Sequence, residues 1–404
     1  MKIRSITGFC ARSEVTPEAG AFLREARSRY EDAGFEVQTV RLALPPLRHL
    51  VDPAAPASAV VDLVRGFEDA AREHSIDYAA VGPLLPGDGS AWVGALVEGL
   101  RESQRVFMTL RLDDDASRLH PEQAFRAARI VQEAAPLEPN GFANLRFSTL
   151  ARVPAGVPFL PAAYATPDTP MAFAIATESA SLPRRVFDES PSLETAAARL
   201  VSEIEEQGAS LESVARTLEQ QHGARFDGID FSFAPFPDDA NSVGATLESM
   251  GLDAVGGPGT TVAAAVLTSA LDRARFRRTG FSGLFLPVLE DDRLALRAAE
   301  TTLRIEDLLL ASTVCGTGLD TIPLPGDVDG ESIVATLLDL GAIALRHRKP
   351  LTARLMPMPG RAAGDALDFD FPFFASGKVM SLRRGRVDGA LRRGPIPIVA
   401  RRPC

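Results

Sequence analysis

The sequence predicts an α/β protein built as a single large β/α barrel. Strand-like and helix-like segments alternate from one end of the 404 residues to the other, which implies parallel strands joined by helical crossovers. Several of the strands are almost continuously apolar, as expected where helices cover both faces of a sheet. No Gly/Ser-rich or Pro-rich tether divides the chain, although its length exceeds the usual span of one compact core. The barrel is expected over residues 1–377, with a basic tail over 378–404.

Each element has a local reason. MKIRSITGF alternates apolar and polar side chains and reads as a strand. Thr16, Pro17 and Glu18 supply an N-cap, a first-turn proline and a first-turn acid for a helix. Phe22, Ala26 and Tyr30 then recur at helical spacing, and Gly34 ends the element. FEVQTVRLAL returns as a strand, AVVDLVRGFEDAARE as a helix and IDYAAVGPL as a strand. PEQAFRAARIVQEAA reads as a helix, while FANLRFSTLA and MAFAIATES read as strands. The proline-dense VPAGVPFLPAAYATPDTP between those two strands is a long loop. Two consecutive helices follow, LETAAARLVSEIEEQG and SLESVARTLEQQHG. GIDFSFAP is a strand, SVGATLESMG and TTVAAAVLTSALDRA are helices, and FSGLFLPVLE is an apolar strand. IEDLLLAS and ESIVATLLDLGAIALRHR are the last helices, and LTARLMPM is the last clear strand.

Composition narrows the partners. A net charge of −10 argues against nucleic acid, whose phosphates require a basic face. The charge is uneven. From Lys378 onward eight basic residues face one acid, Asp388, so the tail carries +7 and the remainder −17. Such a tail is expected to dock on its own body or on a neighbouring subunit, and a homo-oligomer is expected. Three cysteines, Cys10, Cys315 and Cys404, are too sparse for a disulfide framework, and the five histidines show no zinc spacing. With neither an apolar leader nor a membrane-length apolar run, the expectation is a cytoplasmic protein.

Four groups of residues carry the chemistry. In β/α folds ligand groups collect where strands meet loops, and Glu178, Asp230, Glu290, Asp291, Asp320 and Asp327 all fall at such junctions. Glu178, Asp230 and Glu290 are the acid–base candidates, and Asp320 and Asp327 are candidates for substrate binding. If carboxylates converge they need a cation or a shared proton. Glu290, Asp291 and Asp230 are therefore a candidate set for Mg²⁺, Mn²⁺ or Ca²⁺. In GGPGTT the backbone at Gly257 and Gly259, followed by Thr260 and Thr261 at a helix start, offers an anion cradle or a plain capped turn. Arg354, inside the apolar LTARLMPM, either clamps a substrate carboxylate or pairs with one of the aspartates. Cys315 in STVCGTGLDTIPLPGD, beside Gly316 and Gly318, is a candidate nucleophile or proton donor.

Taken together, FANLRFSTLARVPAGVPFLPAAY, GIDFSFAPFPDDANSVGATLESMG, GGPGTTVAAAVLTSAL, VCGTGLDTIPLPGD and KPLTARLMPMPGRAAGD resemble domain-of-unknown-function family 711 across nearly the whole chain. The resemblance implies a ten-stranded barrel similar to that of pyruvate formate-lyase. It also brings to mind glycyl radical enzymes, because Arg386-Val387-Asp388-Gly389 echoes their radical loop, with Cys315 as the opposing thiol. The aromatic residue expected after that glycine is replaced by Ala390. The function expected is an enzyme acting on a small carboxylated metabolite by acid–base or thiol-assisted chemistry, as a lyase, isomerase or cyclase, with metal assistance as an option. The alternatives are a non-catalytic metabolite binder or regulator and, remotely, a glycyl-radical-type enzyme.

Overall fold

The structure is a computed structural model that describes residues 2–11, 16–168, 170–315 and 317–401. Gly316 and Cys404, named above, and Arg402 of the basic tail lie outside them. In chain order the strands are β1 (Lys2–Phe9), β2 (Glu36–Val37), β3 (Val40–Pro46), β4 (Tyr78–Leu84), β5 (Val106–Arg111), β6 (Arg118–Leu119) and β7 (Phe147–Ala151). They continue with β8 (Ala172–Glu178), β9 (Arg225–Asp230), β10 (Gly318–Pro325), β11 (Leu351–Met358), β12 (Ala366–Leu367), β13 (Gly377–Lys378) and β14 (Ile396–Pro397).

One large, mostly parallel sheet organises the molecule. Its order is β10-β11-β7-β5-β4-β3-β1-β8-β9, with β2 alongside β1. From β1 to β7 neighbouring strands are parallel, and so are the pairs β8–β9 and β10–β11. The direction reverses only at β1–β8 and at β11–β7. FSGLFLPVLE does not form a regular strand. Isolated parallel bridges instead tie Arg278 to Ile229, Leu284 to Phe233 and Pro287 to Asp320, which lays residues 278–287 between β9 and β10. Pro287 has no N–H to donate to a continuous ladder, and the segment ends in a 3₁₀ turn at Val288–Glu290.

Alternation along the strands sorts the core into two layers. Ile6, Leu42, Leu44, Val81, Met108 and Ile175 pack outward against the helices. Phe9, Ala43, Ala80, Phe107, Ala172 and Ala174 point to the other face. Small residues dominate this inner layer, and the space they leave holds the loop that joins β7 to β8. Its Val153, Val157, Phe159, Ala162 and Tyr164 form an apolar cluster with Ala176, Ala234, Phe281 and Phe285. The hydroxyls of Ser5 and Thr7 donate to the Pro158 carbonyl at 3.1 and 2.7 Å, which pins the loop to β1. The proline-rich stretch is thus an internal element of the fold.

Three further departures from expectation have local causes. A helix, Ala91–Glu102, and strand β5 lie between IDYAAVGPL and PEQAF, where no element was expected. The two helices expected after MAFAIATES are one, Leu193–His222, capped by the Ser192 side chain and ended by Gly223 at φ 67°. Its apolar stripe of Leu200, Ile204, Gly208, Leu211 and Ala215 continues unbroken through the glycine. FANLRFSTLA begins as 3₁₀ turns and becomes a strand only at Phe147. The basic tail docks on its own chain: β14 pairs with β6, Arg392 lies 4.4 Å from the centre of the Phe125 ring, and Arg383 pairs with Glu306 at 2.9 Å. Among the described residues no helix is long and apolar enough to cross a membrane.

Candidate functional site

Strand register brings the polar residues together. Lys2 of β1 pairs with Glu178 of β8, so Arg4 reaches the Glu178 carboxylate. Leu319 pairs with Ala353, which sets Asp320 beside Arg354. The bridge from Pro287 to Asp320 carries the 3₁₀ turn, and with it Glu290, to the same place. Arg41 of β3 stands opposite Tyr78 of β4, with its guanidinium 5.9 Å from the ring centre.

The result is a cavity of about 110 Å³. Arg4, Arg41, Glu290, Asp320 and Arg354 supply its charged wall, and Tyr78, Phe107, Phe159, Phe281 and Phe285 its aromatic one. The tip of the internal loop, Leu160 to Ala162, closes one side. Phe371 and Phe373 close another, on the segment between the paired strands β12 and β13. Arg4 lies 5.8 Å from the centre of the Phe373 ring.

Most of the charges are already paired. Glu178 accepts from Arg4 at 2.7 Å, and Arg4 also donates to Glu290 at 2.8 Å. Arg354 donates to the other Glu290 oxygen at 2.7 Å and grips both oxygens of Asp320 through Nε and Nη2. Burial acts to lower the pKa of both arginines. Glu290 and Glu178 outweigh it at Arg4, and Asp320 and Glu290 do so at Arg354, so both guanidiniums are held above their ordinary value.

Arg41 differs. It is only 7% exposed, its Nε donates to Thr39 Oγ1 at 2.8 Å, and among the described residues it makes no ion pair. Burial, and then the nearby Arg4 charge, push its pKa down to about 9, so it is still cationic at neutral pH. A buried guanidinium without an anion is costly. Its terminal nitrogens stand where an anion in the cavity can meet them.

The sequence-derived candidates divide sharply. Glu178, Glu290, Asp320 and Arg354 come together. Arg354 pairs with acids and also lines the cavity, so both of its expected contacts are geometrically open. Asp230 lies just outside. It is fully buried and accepts from the backbone N–H groups of Phe281 and Ser282 at 2.6 and 2.7 Å and from the Ser232 hydroxyl at 2.5 Å. Its carboxylate shapes the turn that aims Phe281 into the cavity, and burial pushes its pKa up to about 6 against those three hydrogen bonds. Gly280 in this turn has φ 65°, and an added Cβ would lie 2.0 Å from Asp230 Oδ2. Gly280→Ala is therefore expected to lower stability by roughly 3 kcal/mol, from backbone strain and overpacking together, in urea unfolding.

Other expectations need correction. The carboxylates expected to hold a metal do not assemble. Glu290 serves two arginines and Asp230 serves its turn. Asp291, fully buried, caps two helices by accepting from Ser242, Val243, Gly244, Arg293 and Leu294. Among the described residues no three His, Cys, Asp or Glu side chains are grouped to hold a metal ion. The GGPGTT turn closes on itself away from the cavity, with Gly256 N–H donating to Thr260 Oγ1 and that hydroxyl donating to the Gly257 carbonyl. Gly257, Gly259, Thr260 and Thr261 therefore start a helix and do not line the site. Asp327 is exposed beyond the far end of β10, in a surface groove with Ser332 and Arg386.

Cys315 is 1% exposed and does not line the cavity. Burial pushes its thiol pKa up, the opposite of what a nucleophile requires. The Lys349 ammonium donates to the Cys315 and Ser312 carbonyls, so a lysine side chain holds the backbone of the loop. Gly389 is exposed on the tail and, like Cys315, does not line the cavity. Iodoacetamide applied to the folded protein, followed by peptide mass mapping, is expected to leave Cys315 unlabelled until denaturant is added. Rapid labelling under native conditions would restore it as a reactive thiol.

Arg4 and Arg41 are the charged cavity-lining residues not found from sequence. Arg4 sits at a polar position of an alternating strand and looks solvent-facing. Arg41 in QTVRLAL carries the signal that singled out Arg354, an arginine inside an apolar strand.

Fold and site together define an α/β protein with a buried cavity walled by ion pairs on one side and aromatic rings on the other. The chain belongs to the family described as Uncharacterised ACR (DUF711), which it matches over residues 5–375. It is 32% identical to a UPF0210 protein of Pyrobaculum arsenaticum over 379 residues, covering 90% of this chain and 83% of that one. It is 28% identical to a UPF0210 protein of Methanopyrus kandleri, covering 88% and 82%. A UPF0210 protein of Methanocaldococcus jannaschii is 23% identical over 96% of this chain and 89% of its own.

Proposed function

We propose that this protein is an enzyme acting on a small carboxylated metabolite by proton transfer, in the lyase, isomerase or cyclase class. The observation that carries the reading is Arg41, a buried guanidinium that lines the cavity and makes no ion pair among the described residues. A substrate carboxylate would take that position, with charge-assisted hydrogen bonds to the terminal nitrogens. The aromatic wall would hold the carbon skeleton. Glu290 or Asp320 would accept the proton from the carbon next to the carboxylate or carbonyl, and Arg354 and Arg4 would stabilise the enolate charge that develops. Cys315 and a metal have no part in this mechanism.

The reading also includes a closed, ten-stave cylinder resembling the pyruvate formate-lyase-like barrel, with residues 278–287 as the tenth stave. Three parallel bridges on the two sides of that segment support it, and so does the reversal of direction at two strand junctions. A non-catalytic binder is the second reading. It is favoured by the engagement of Glu290 and Asp320 with arginines, which leaves neither as a free base. Incubation with small 2-oxo acids and small α-amino acids in deuterated water separates the two. The enzyme reading expects deuterium at the carbon beside the carbonyl or carboxylate, lost in Glu290→Gln or Asp320→Asn, and wild-type protein that gives only the buffer rate with both supports the binder.

A further inference from the structure

We infer that the ligand is zwitterionic, a small apolar α-amino acid or a close relative, and not a simple carboxylate anion. This rests on the carboxylate reading above and adds a second charge to it. The argument comes from how charge is distributed around the cavity.

Arg4 and Arg354 are linked in one chain with Glu178, Glu290 and Asp320. Two guanidiniums and three carboxylates leave that chain with one negative charge in excess. Arg41, on a different strand, carries one positive charge that is not tied into the chain. The site's own residues are therefore neutral overall but have two poles, a cation on β3 and an anionic surplus on the wall formed by Glu290 and Asp320. All these groups except Glu178, which stands behind Arg4, line the same cavity.

A simple carboxylate neutralises Arg41 and leaves the surplus negative charge buried without a counter-charge, which is unfavourable in a desolvated site. A dicarboxylate makes this worse. A molecule with a carboxylate and an ammonium satisfies both poles and keeps the site neutral. Its ammonium would donate to Glu290 and Asp320 oxygens, which would share it with the arginines they already hold. The rest of the lining, the rings of Tyr78, Phe107, Phe159, Phe281 and Phe285 together with the uncharged Gln38, Thr39, Ser148, Thr317 and Thr352, offers no further charge, so a side chain lying against the rings is apolar. The cavity, about 110 Å³, is smaller than the 150 Å³ that holds benzene, so it suits a molecule of roughly four to six non-hydrogen atoms.

The test is a calorimetric titration of the full chain with four probes of matched skeleton: L-alanine, D-alanine, propanoate and ethylamine. At least one alanine enantiomer is expected to bind ten times or more tightly than propanoate, with the amine alone showing no measurable binding. Arg41→Gln is expected to abolish binding of the alanines and of propanoate. If propanoate binds as tightly as the better alanine, the zwitterion inference falls while the carboxylate reading stands. If neither alanine nor propanoate binds, both fall.

Discussion

Arg41→Leu is expected to weaken binding of propanoate at least tenfold while unfolding at the same temperature as the wild type, or higher. The two effects have one cause. The Arg41 guanidinium is buried beside Tyr78 with Thr39 as its hydrogen-bond partner and no ion pair among the described residues. The folded protein therefore carries an uncompensated charge, which leucine removes while keeping apolar contact with the aromatic wall. The same charge is what a bound carboxylate would meet. Hydrogen bonds between charged groups contribute about 1.5–3 kcal/mol, so affinity should fall roughly tenfold to a hundredfold or more. Arg146 is the control. It is also buried, but donates to the Leu100 and Ser103 carbonyls and to Glu138. Arg146→Leu should destabilise the protein strongly. If Arg41→Leu destabilises to the same degree, Arg41 is structural and the site reading fails.

Arg354→Leu should lower stability by about 3–5 kcal/mol, because it leaves Asp320 and one oxygen of Glu290 buried without their cation. The double variant Arg354→Leu/Asp320→Leu should recover a large part of that loss. A buried pair replaced by apolar groups of similar size is close to neutral, whereas a buried charge without its partner is not. Urea midpoints of the two single variants and the double give the coupling directly. Additive losses would mean that Arg354 and Asp320 do not act as a pair and that the charged chain around the cavity is not continuous. The double variant also lacks a proposed base, so restored stability without restored deuterium exchange would separate folding from function.

The local pattern of the chain was legible wherever one physical rule acted alone. The caps at Thr16 and Gly223 lie at the helix ends where residue type alone would place them. Legibility failed where long-range packing overrode the local signal. Gly208 looks like a break between two helices, yet the helix runs on, with Phe276 lying where a Cβ at Gly208 would come within 3.0 Å of it. The loop from Val153 to Tyr164 has the prolines of a surface connection. It is buried because the inward faces of neighbouring strands carry alanines. GGPGTT had the composition of an anion cradle, but a single threonine hydroxyl satisfies its turn from within.

What the linear order of residues determined without help was the succession of elements and the kind of layers they form, since hydrophobic periodicity and capping act within a few positions. It also flagged four of the five acids and bases that meet in the ion-pair chain, because a charged residue at the edge or centre of an apolar strand stands out by itself. Only the tertiary structure decided which charges share a cavity and which one is left over. Pairing between Arg4, Glu290 and Arg354 spans most of the chain length, and it follows from strand register and from the bridge at Pro287, neither of which any local pattern encodes. The surplus at Arg41 is a property of the whole set of neighbours, and a residue's neighbours exist only once the chain has folded.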